Sequence, residues 1–247
     1  VLMLAVAPDD IQRHLDMLDE MGLTPVQIGA EPVAVFLGFE RFLRRKADEQ
    51  TVSVVVDIGL SATRVVVARG RTIVFIKSID IGGRALDKAV AAQLNLSRHE
   101  ARDLRNQIMH EQSQVRDRDK GEADGGATLH WTVHDAVRGV VEELAREIAL
   151  CLRYCSVTFR GLRPAHVTLT GGQSYDSALV SLLADNLGIQ CEVGQCLKGV
   201  DTSRVDLGGD RRGMLAEWSV CAGLAFQNMS SERNVRKVEH AGRRLSA

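Results

Sequence analysis

Three apolar segments rich in valine and isoleucine follow one another between residues 51 and 83, with only short connections between them. They read TVSVVVDIG, TRVVVARG and RTIVFIKSIDIGG. Such residues favour strands, and a connection as short as the one around Gly70 requires the chain to reverse its direction. The three segments therefore predict an antiparallel meander, which commits the middle of the chain to a sheet.

The first 50 residues alternate between strand-like and helix-like patterns. VLMLAVA and LTPVQIG, at 1–7 and 23–29, are predicted strands. The segment between them is a predicted helix that Pro8 begins and Gly22 ends. A second helix is predicted to start in AEPVAVFLG at 30–38, and it becomes strongly charged before residue 50. The order of the first three segments is typical of a βαβ-like unit, with the relative direction of the strands left open.

Beyond the meander the pattern is mainly helical. Helices are predicted for RALDKAVAAQLNL, SRHEARDLRNQIMHE, HDAVRGVVEELAREIALCLRYCSVTF, SALVSLLADNLG and MLAEWSVCAGLAFQ, and strands for AHVTLTGG and IQCEVG. Ser97 and Glu100 have the spacing of a capping box at the start of the second of these helices. Residues 112–128 are charged and rich in glycine, which predicts a mobile surface loop.

Composition excludes some classes of partner. The net charge is -1, from 31 basic and 32 acidic residues, so the chain has no overall field that would attract nucleic acid. No apolar run reaches the ~20 residues needed to span a bilayer, and no membrane span is predicted. The five cysteines lack metal-ligand spacing and are predicted to be buried, reduced thiols. They are Cys151, Cys155, Cys191, Cys196 and Cys221.

The turn that follows the first strand of the meander carries polar groups suited to phosphate chemistry. Asp57 ends the strand, Gly59 follows it, and Ser61 and Thr63 border the turn. A carboxylate can hold magnesium through water, while backbone amides and hydroxyls bind phosphate oxygens. Glycine allows the backbone to approach a phosphate where a Cβ would collide. An ordinary hairpin, in which Asp57 binds local amides, remains the alternative.

Two further junctions repeat this arrangement of an apolar strand, glycines and a helix. They are IDIGG at 79–83 and LTGG at 169–172. A helix N-terminus offers free N–H groups and the positive end of its dipole to phosphate or ribose oxygens. Three such junctions in one chain favour a nucleotide site over three unrelated turns.

Four segments resemble motifs of the actin-like ATPase superfamily, in the same order. AEPVAVFLG resembles its first connecting segment, VVVDIGLSATRVVV its second phosphate motif, VTLTGGQSYDSALVSLLADNLGI its adenosine motif, and LAEWSVCAGLAFQ its second connecting helix. Within the superfamily the chain is most similar to the PilM family, FtsA-like proteins of type IV pilus assembly, through IVFIKSIDIGGRALDKAV and LSRHEARDLR. The resemblance implies an α/β, ribonuclease H-like fold with mixed sheets flanked by helices.

The resemblance also implies a role for individual residues in ATP and Mg²⁺ binding. Asp57 corresponds to the magnesium-side carboxylate, and Glu31 takes the position that orients the attacking water in relatives that hydrolyse ATP. Arg105 keeps part of the pair of side chains that clamp adenine, whose acidic member is replaced by Arg102. The residues implied to face the nucleotide are Gly59, Ser61, Thr63, Gly82, Gly83, Gly171, Gly172 and Gln173.

Three departures from the superfamily pattern predict weak nucleotide chemistry. Leu60 replaces a common glycine, and the proline-glycine step that usually follows LTGG is absent. The first phosphate motif is not found, and the sequence starts at Val1 within an apolar run. We therefore expect an N-terminal portion to be missing, the first lobe to be incomplete, and this chain alone to bind nucleotide poorly.

The motifs divide the chain into four predicted parts. Residues 1–50 are expected to be the end of the first lobe, with the end of an extra FtsA-like subdomain. Residues 51–213 are the expected second lobe, which contains a helical insert and the 112–128 loop. Residues 214–229 are expected to return to the first lobe as a helix, and residues 230–247 to be a disordered tail.

The function implied by the resemblance is that of a cytoplasmic, ATP-binding adaptor. It would bind the cytoplasmic N-terminal segment of a PilN-type inner-membrane protein and lie at the membrane through that partner. ATP would control conformation with little hydrolysis. Self-association stays open, because actin-like relatives can polymerise. A small-molecule kinase of the same superfamily, with Asp57 or Glu31 as base, is the alternative.

Overall fold

A five-stranded mixed sheet forms the centre of the computed structural model, which describes residues 3–115, 124–159, 164–205 and 215–227. The strands are β1 (Val52–Ile58), β2 (Thr63–Arg69), β3 (Thr72–Ile79), β4 (His166–Thr170) and β5 (Gln190–Val193). Their order across the sheet is β3-β2-β1-β4-β5. The predicted meander is confirmed, because β1 pairs with β2 and β2 with β3 in antiparallel fashion. β4 and β5 extend the sheet as parallel strands on the other side of β1.

Helices α3 to α6 pack on one face of this sheet, and α2 and α7 pack on the other. The helices are α1 (Pro8–Glu20), α2 (Glu31–Glu40), α3 (Gly83–Leu94), α4 (Arg98–Val115), α5 (Asp124–Thr158), α6 (Ser177–Leu187) and α7 (219–227). The capping box of α4 is confirmed. The Glu100 N–H donates to Ser97 Oγ at 3.2 Å, and the Ser97 N–H donates to Glu100 Oε2 at 2.8 Å.

Alternation along β1 divides the core in two. Val54, Val56 and Ile58 face the larger cluster, to which α3, α4, α5 and α6 contribute. Val55 lies in a smaller cluster with Phe36 of α2 on the opposite face. Successive side chains of a strand point to opposite faces, so the continuous apolar run of β1 is explained by helices on both sides.

Helices α2 and α7 cross in close contact on the smaller-cluster face. A Cβ on Gly223 would lie 1.7 Å from the carbonyl oxygen of Ala34, and one on Gly38 would lie 3.2 Å from that of Ser219. Small residues on the last helix thus let its backbone approach α2 directly. This close contact places α2 and α7 side by side next to the sheet.

The strands predicted at 1–7 and 23–29 are wrong. Residues 3–7 and 23–29 have no regular secondary structure and are almost entirely exposed. A strand is stable only when a neighbouring strand pairs with its N–H and C=O groups. The five strands that the structure describes all lie between residues 52 and 193, so neither segment has such a neighbour there. Helix α1 between them buries none of its residues.

The loop predicted at 112–128 is helical at both ends. Helix α4 continues to Val115, and α5 already begins at Asp124. Extending an existing helix adds one hydrogen bond for each residue that is fixed, which favours such extensions over a separate loop. Residues 116–123, and the tail predicted at 230–247, lie outside the described residues.

The cysteine prediction holds in part. Cys151, Cys155 and Cys196 are buried free thiols, and burial raises the pKa of Cys155 to about 11. Cys191 is half-buried and Cys221 is exposed. The apolar pattern of a helix does not show which of its sides remains uncovered, and this explains the error at Cys221.

Candidate functional site

The carboxyl ends of β1 and β4 bring Asp57 and the LTGG segment into contact. These strands are parallel neighbours, and Asp57 is aligned with Thr170. Gly171 has a φ of +87°, and a Cβ on it would lie 2.7 Å from Asp57 Oδ1 and 2.6 Å from the carbonyl oxygen of Ile58. Only glycine fits this conformation and this approach. Two motifs more than 100 residues apart in the sequence therefore meet at one point.

The third glycine junction packs against the same turn. A Cβ on Gly82 would lie 2.7 Å from the carbonyl oxygen of Gly59. The Gly83 N–H donates to that oxygen at 2.9 Å, and the Arg84 N–H donates to the carbonyl oxygen of Leu60 at 2.8 Å. We expected free N–H groups at the start of α3, but the turn already uses them. Gly82 and Gly83 therefore hold the turn in place in this structure, and their approach to a nucleotide stays a prediction.

The two polar side chains of the turn have different environments. Thr63 is fully buried, and its hydroxyl donates to the carbonyl oxygen of Ile81 at 2.7 Å. The hydroxyl thus links β2 to the segment that follows β3, and its contact with phosphate stays a prediction. Ser61 and Leu60 are exposed, and their N–H groups donate no hydrogen bond to the part of the chain that the structure describes.

Arg105 lies in a buried ion-pair cluster with Asp87 and Asp176. Its side chain is 2% exposed, and Nη1 donates to Asp87 Oδ1 at 2.6 Å. Nη2 donates to Gln173 Oε1 at 2.8 Å and lies 3.5 Å from Asp176 Oδ2. A buried guanidinium requires charged partners, and these two carboxylates supply them. In this structure the terminal nitrogens of Arg105 contact protein side chains, and its contact with adenine stays a prediction.

The cluster fixes the elements around the site. Asp87 belongs to α3 and Arg105 to α4, while Asp176 accepts hydrogen bonds from the N–H groups of Ala178 and Leu179 as the N-cap of α6. Gln173 links this cluster to the glycines before α3, because its side-chain amide lies 2.8 Å from the position of a Cβ on Gly83. Sequence reasoning missed Asp87 and Asp176. A single acidic residue on the apolar face of α3 was the available signal for Asp87.

Asp57 itself is buried between charged neighbours. Its exposed fraction is 5%, and burial raises the pKa of this carboxyl to about 6. The charge of Glu31 raises the pKa further, whereas the Arg64 guanidinium opposes the shift. Arg64 is the direct cross-strand neighbour of Asp57, and its Nη2 lies 2.7 Å from Glu31 Oε2.

Arg64 was not among the predicted site residues. Its position was readable from the register of the predicted hairpin, because residues opposite each other in an antiparallel pair share a face. Arg64 and Arg69 are the charged residues of β2, and of the two it is Arg64 that lies opposite Asp57, on the face of α2.

The exposed side of the turn suits a phosphate group. Within the described residues the N–H groups of Leu60 and Ser61 donate no hydrogen bond, and Arg64 Nη1 lies 3.8 Å from the position of a Cβ on the adjacent Gly59. Gly172 borders open space, since a Cβ on it would have no atom within 4 Å. Three residues predicted to face the nucleotide therefore lie on the accessible side of the turn: Gly59, Ser61 and Gly172. Asp57 and Glu31 lie behind them.

A Mg²⁺ ion bound at this turn would have one protein carboxylate as a ligand, that of Asp57. The described ranges contain no group of three or more acidic, histidine or cysteine side chains that could hold a metal. Mg²⁺ commonly binds through one or two carboxylates together with phosphate oxygens and water. The donor set therefore fits a Mg²⁺ ion that a bound phosphate group also holds.

A separate cavity of about 490 Å³ lies nearer the amino ends of β1 and β4. Its apolar wall is formed by Phe36, Phe39 and Phe42 of the α2 region, and Thr51 and His166 contribute polar groups. It shares no residue with the turn at 57–63, which we call the Asp57 turn.

A family model described as type IV pilus assembly protein PilM matches residues 1–114. The structure is similar to that of a PilM-PilN type IV pilus biogenesis complex, with a TM-score of 0.69 and 25% sequence identity over 88% of this chain. The chain is therefore similar to PilM in these residues and in its structure. It spans 57% of the length of the PilM-PilN chain that it matches. The search of curated proteins found no match.

Other solved structures share the fold of this chain. The ethanolamine utilization protein EutJ from Carboxydothermus hydrogenoformans has a TM-score of 0.60 and 18% identity, with 90% of this chain and 62% of EutJ covered. MreB5 of Spiroplasma citri bound to AMPPNP has a TM-score of 0.56 and 14% identity, with 94% and 68% covered. The predicted actin-like ATPase fold, an α/β fold with a mixed sheet flanked by helices, is confirmed.

Proposed function

We propose that this PilM-like protein is an assembly adaptor of type IV pili that binds a PilN-type membrane protein under the control of ATP. The observation that carries the proposal is the similarity to the PilM-PilN complex over 88% of the chain. We infer that the partner contributes its cytoplasmic N-terminal segment, and that the adaptor lies in the cytoplasm at the inner membrane through this contact. No helix in the described segments is long and apolar enough to cross a membrane.

ATP is proposed to bind with its phosphates at the exposed side of the Asp57 turn. The N–H groups of Leu60 and Ser61 and the guanidinium of Arg64 would receive the phosphate oxygens, and Asp57 would hold Mg²⁺ together with them. Gly172 would leave room for the rest of the nucleotide. The support for this arrangement is the meeting of three glycine junctions around one buried carboxylate.

Hydrolysis is proposed to be slow. Glu31 lies at the position inferred for orienting the attacking water, and its carboxylate contacts Arg64 at 2.7 Å in this structure. The phosphate turn carries Leu60 where active relatives commonly have glycine, so its backbone would approach the phosphates less closely. ATP would therefore act by staying bound and favouring one conformation over another.

The adaptor role is tested with a fluorescent peptide of the PilN-type cytoplasmic N-terminal segment. Fluorescence anisotropy of the peptide with the full-length protein, with and without MgATP, should show binding whose Kd changes with ATP. A shuffled peptide of the same composition is the control. Absence of binding under both conditions would remove the proposed partner.

A further inference from the structure

Arg64 connects the phosphate side of the turn to helix α2. Its side chain is one-quarter exposed, and Nη2 lies 2.7 Å from Glu31 Oε2. The other terminal nitrogen, Nη1, lies 3.8 Å from where a Cβ on Gly59 would be. The same guanidinium therefore contacts the first residue of α2 and borders the exposed turn.

Two arginines from the meander bind the two ends of α2. Arg64 on β2 pairs with Glu31 at the start of the helix, and Arg71 in the β2–β3 turn pairs with Glu40 at its end. Between these pairs, Phe36 packs against the sheet in the smaller core cluster. The Arg71 pair lies at the opposite end of β2 from the Asp57 turn, so only Arg64 can respond to a ligand there.

A phosphate group at the turn would compete with Glu31 for Arg64. The group would be bound by the exposed N–H groups of Leu60 and Ser61, which lie on the turn that Arg64 borders. Arginine binds phosphate in a bidentate manner, and a multiply charged phosphate attracts it more strongly than a single carboxylate. The Glu31 carboxylate is also partly exposed, so water can replace the arginine at little cost.

We propose that the Arg64 guanidinium is shared between Glu31 and a bound phosphate group, so that phosphate binding at the turn withdraws Arg64 from the first residue of α2. This inference rests on the proposed nucleotide site. It identifies the contact through which occupancy of that site reaches α2. It also assigns to Arg64 a positioning role toward Glu31. Glu31 is released from Arg64 when the phosphates are bound.

A double-mutant cycle tests the sharing. MgATP is titrated calorimetrically into the full-length protein, Glu31→Gln, Arg64→Gln and the double variant. If Glu31 competes for Arg64, Glu31→Gln should tighten ATP binding about five-fold, the size expected for a partly exposed ion pair. Arg64→Gln should weaken binding, and the double variant should bind like Arg64→Gln alone, because the gain requires the arginine.

Relief of simple repulsion between Glu31 and phosphate gives a different pattern. Binding would then tighten equally in the presence and absence of Arg64, and this result would overturn the sharing while leaving the nucleotide site intact. A wild-type protein that binds no ATP would overturn both proposals.

Glu40→Gln and Arg71→Gln form the matched control pair and should leave ATP affinity unchanged. Thermal unfolding midpoints verify that each variant folds, and Arg64→Lys should retain part of the affinity because it keeps the charge.

Discussion

At the residue scale, the feature that distinguishes this site is a buried carboxyl with few compensating contacts. Asp57 is buried beside Glu31, and the guanidinium of Arg64, which opposes its cross-strand position, is bound to that neighbour. Burial disfavours the ionised form of a carboxyl, and this is the main reason that the pKa of Asp57 is raised to about 6. If Asp57 served only the fold, a neutral side chain of the same shape could replace it with little loss of stability.

The raised pKa of Asp57 predicts how stability depends on pH. The folded state keeps the proton up to about pH 6, whereas the unfolded chain releases it near the ordinary aspartate pKa of 3.8. Between these values the folded state binds more protons, so the contribution of Asp57 to stability falls as the pH rises. Asp57→Asn should remove this fall and stabilise the protein at pH 7.5 by up to about 3 kcal/mol.

Chemical denaturation at pH 4.0 and 7.5 measures this effect as a difference between Asp57→Asn and wild type. Asp80→Asn is the matched control, because Asp80 stands in the same Asp-Ile-Gly sequence but is exposed. The variant and wild type should differ more at pH 7.5 than at pH 4.0. An equal difference at both values would show that Asp57 has an ordinary pKa.

At the element scale, the meeting of β1 and β4 depends on the backbone of Gly171. Its φ is positive, and a Cβ added to it would lie only 2.6 Å from the Ile58 carbonyl oxygen, which leaves no room for a side chain. The neighbouring Gly172 has open space around it and no positive φ. Only the first of the two glycines of LTGG is therefore required by the fold.

Alanine substitutions at this glycine pair separate the two roles. Gly171→Ala should destabilise the protein by about 3 kcal/mol or more, because strain at a positive φ adds to a backbone clash. Gly172→Ala should change stability by less than about 1 kcal/mol. Urea unfolding midpoints of the two variants measure the difference. Equal midpoints would contradict the close contact between Asp57 and Gly171.

Sequence reasoning succeeded where an element depends on its own residues and failed where it depends on a neighbour. The meander followed from apolar strands with short connections, and the capping box of α4 from two residues three apart. The segments at 3–7 and 23–29 have strand-like composition, but the described part of the chain provides no strand that pairs with them. Pairing partners lie elsewhere in the chain, and local composition does not contain them.

The candidate site shows the same division. The sequence predicted the glycine junctions and Asp57, since turns and strand ends have local signals. It did not predict that Thr63 binds Ile81, or that Arg105 is enclosed by Asp87 and Asp176. These contacts join elements that are distant in sequence, and the side chains could equally have faced a ligand.

At the scale of the whole molecule, the proposed adaptor links a phosphate site to an element outside its sheet. Helix α2 lies against β1 and β2 and packs closely against α7, which lies beside it on the same face of the sheet. A change at Glu31 would therefore reach both helices on this face. A ligand affects a distant partner only to the extent that it favours one of two arrangements, and the position of α2 is the arrangement that we propose.

The measurement that tests the central claim most directly is calorimetric titration of MgATP into the full-length protein, Asp57→Ala and Asp80→Ala. We predict that wild type and Asp80→Ala bind ATP with similar affinity, and that Asp57→Ala loses binding by at least ten-fold because the buried carboxylate no longer holds Mg²⁺. Equal affinities of all three proteins would contradict a phosphate site at the Asp57 turn.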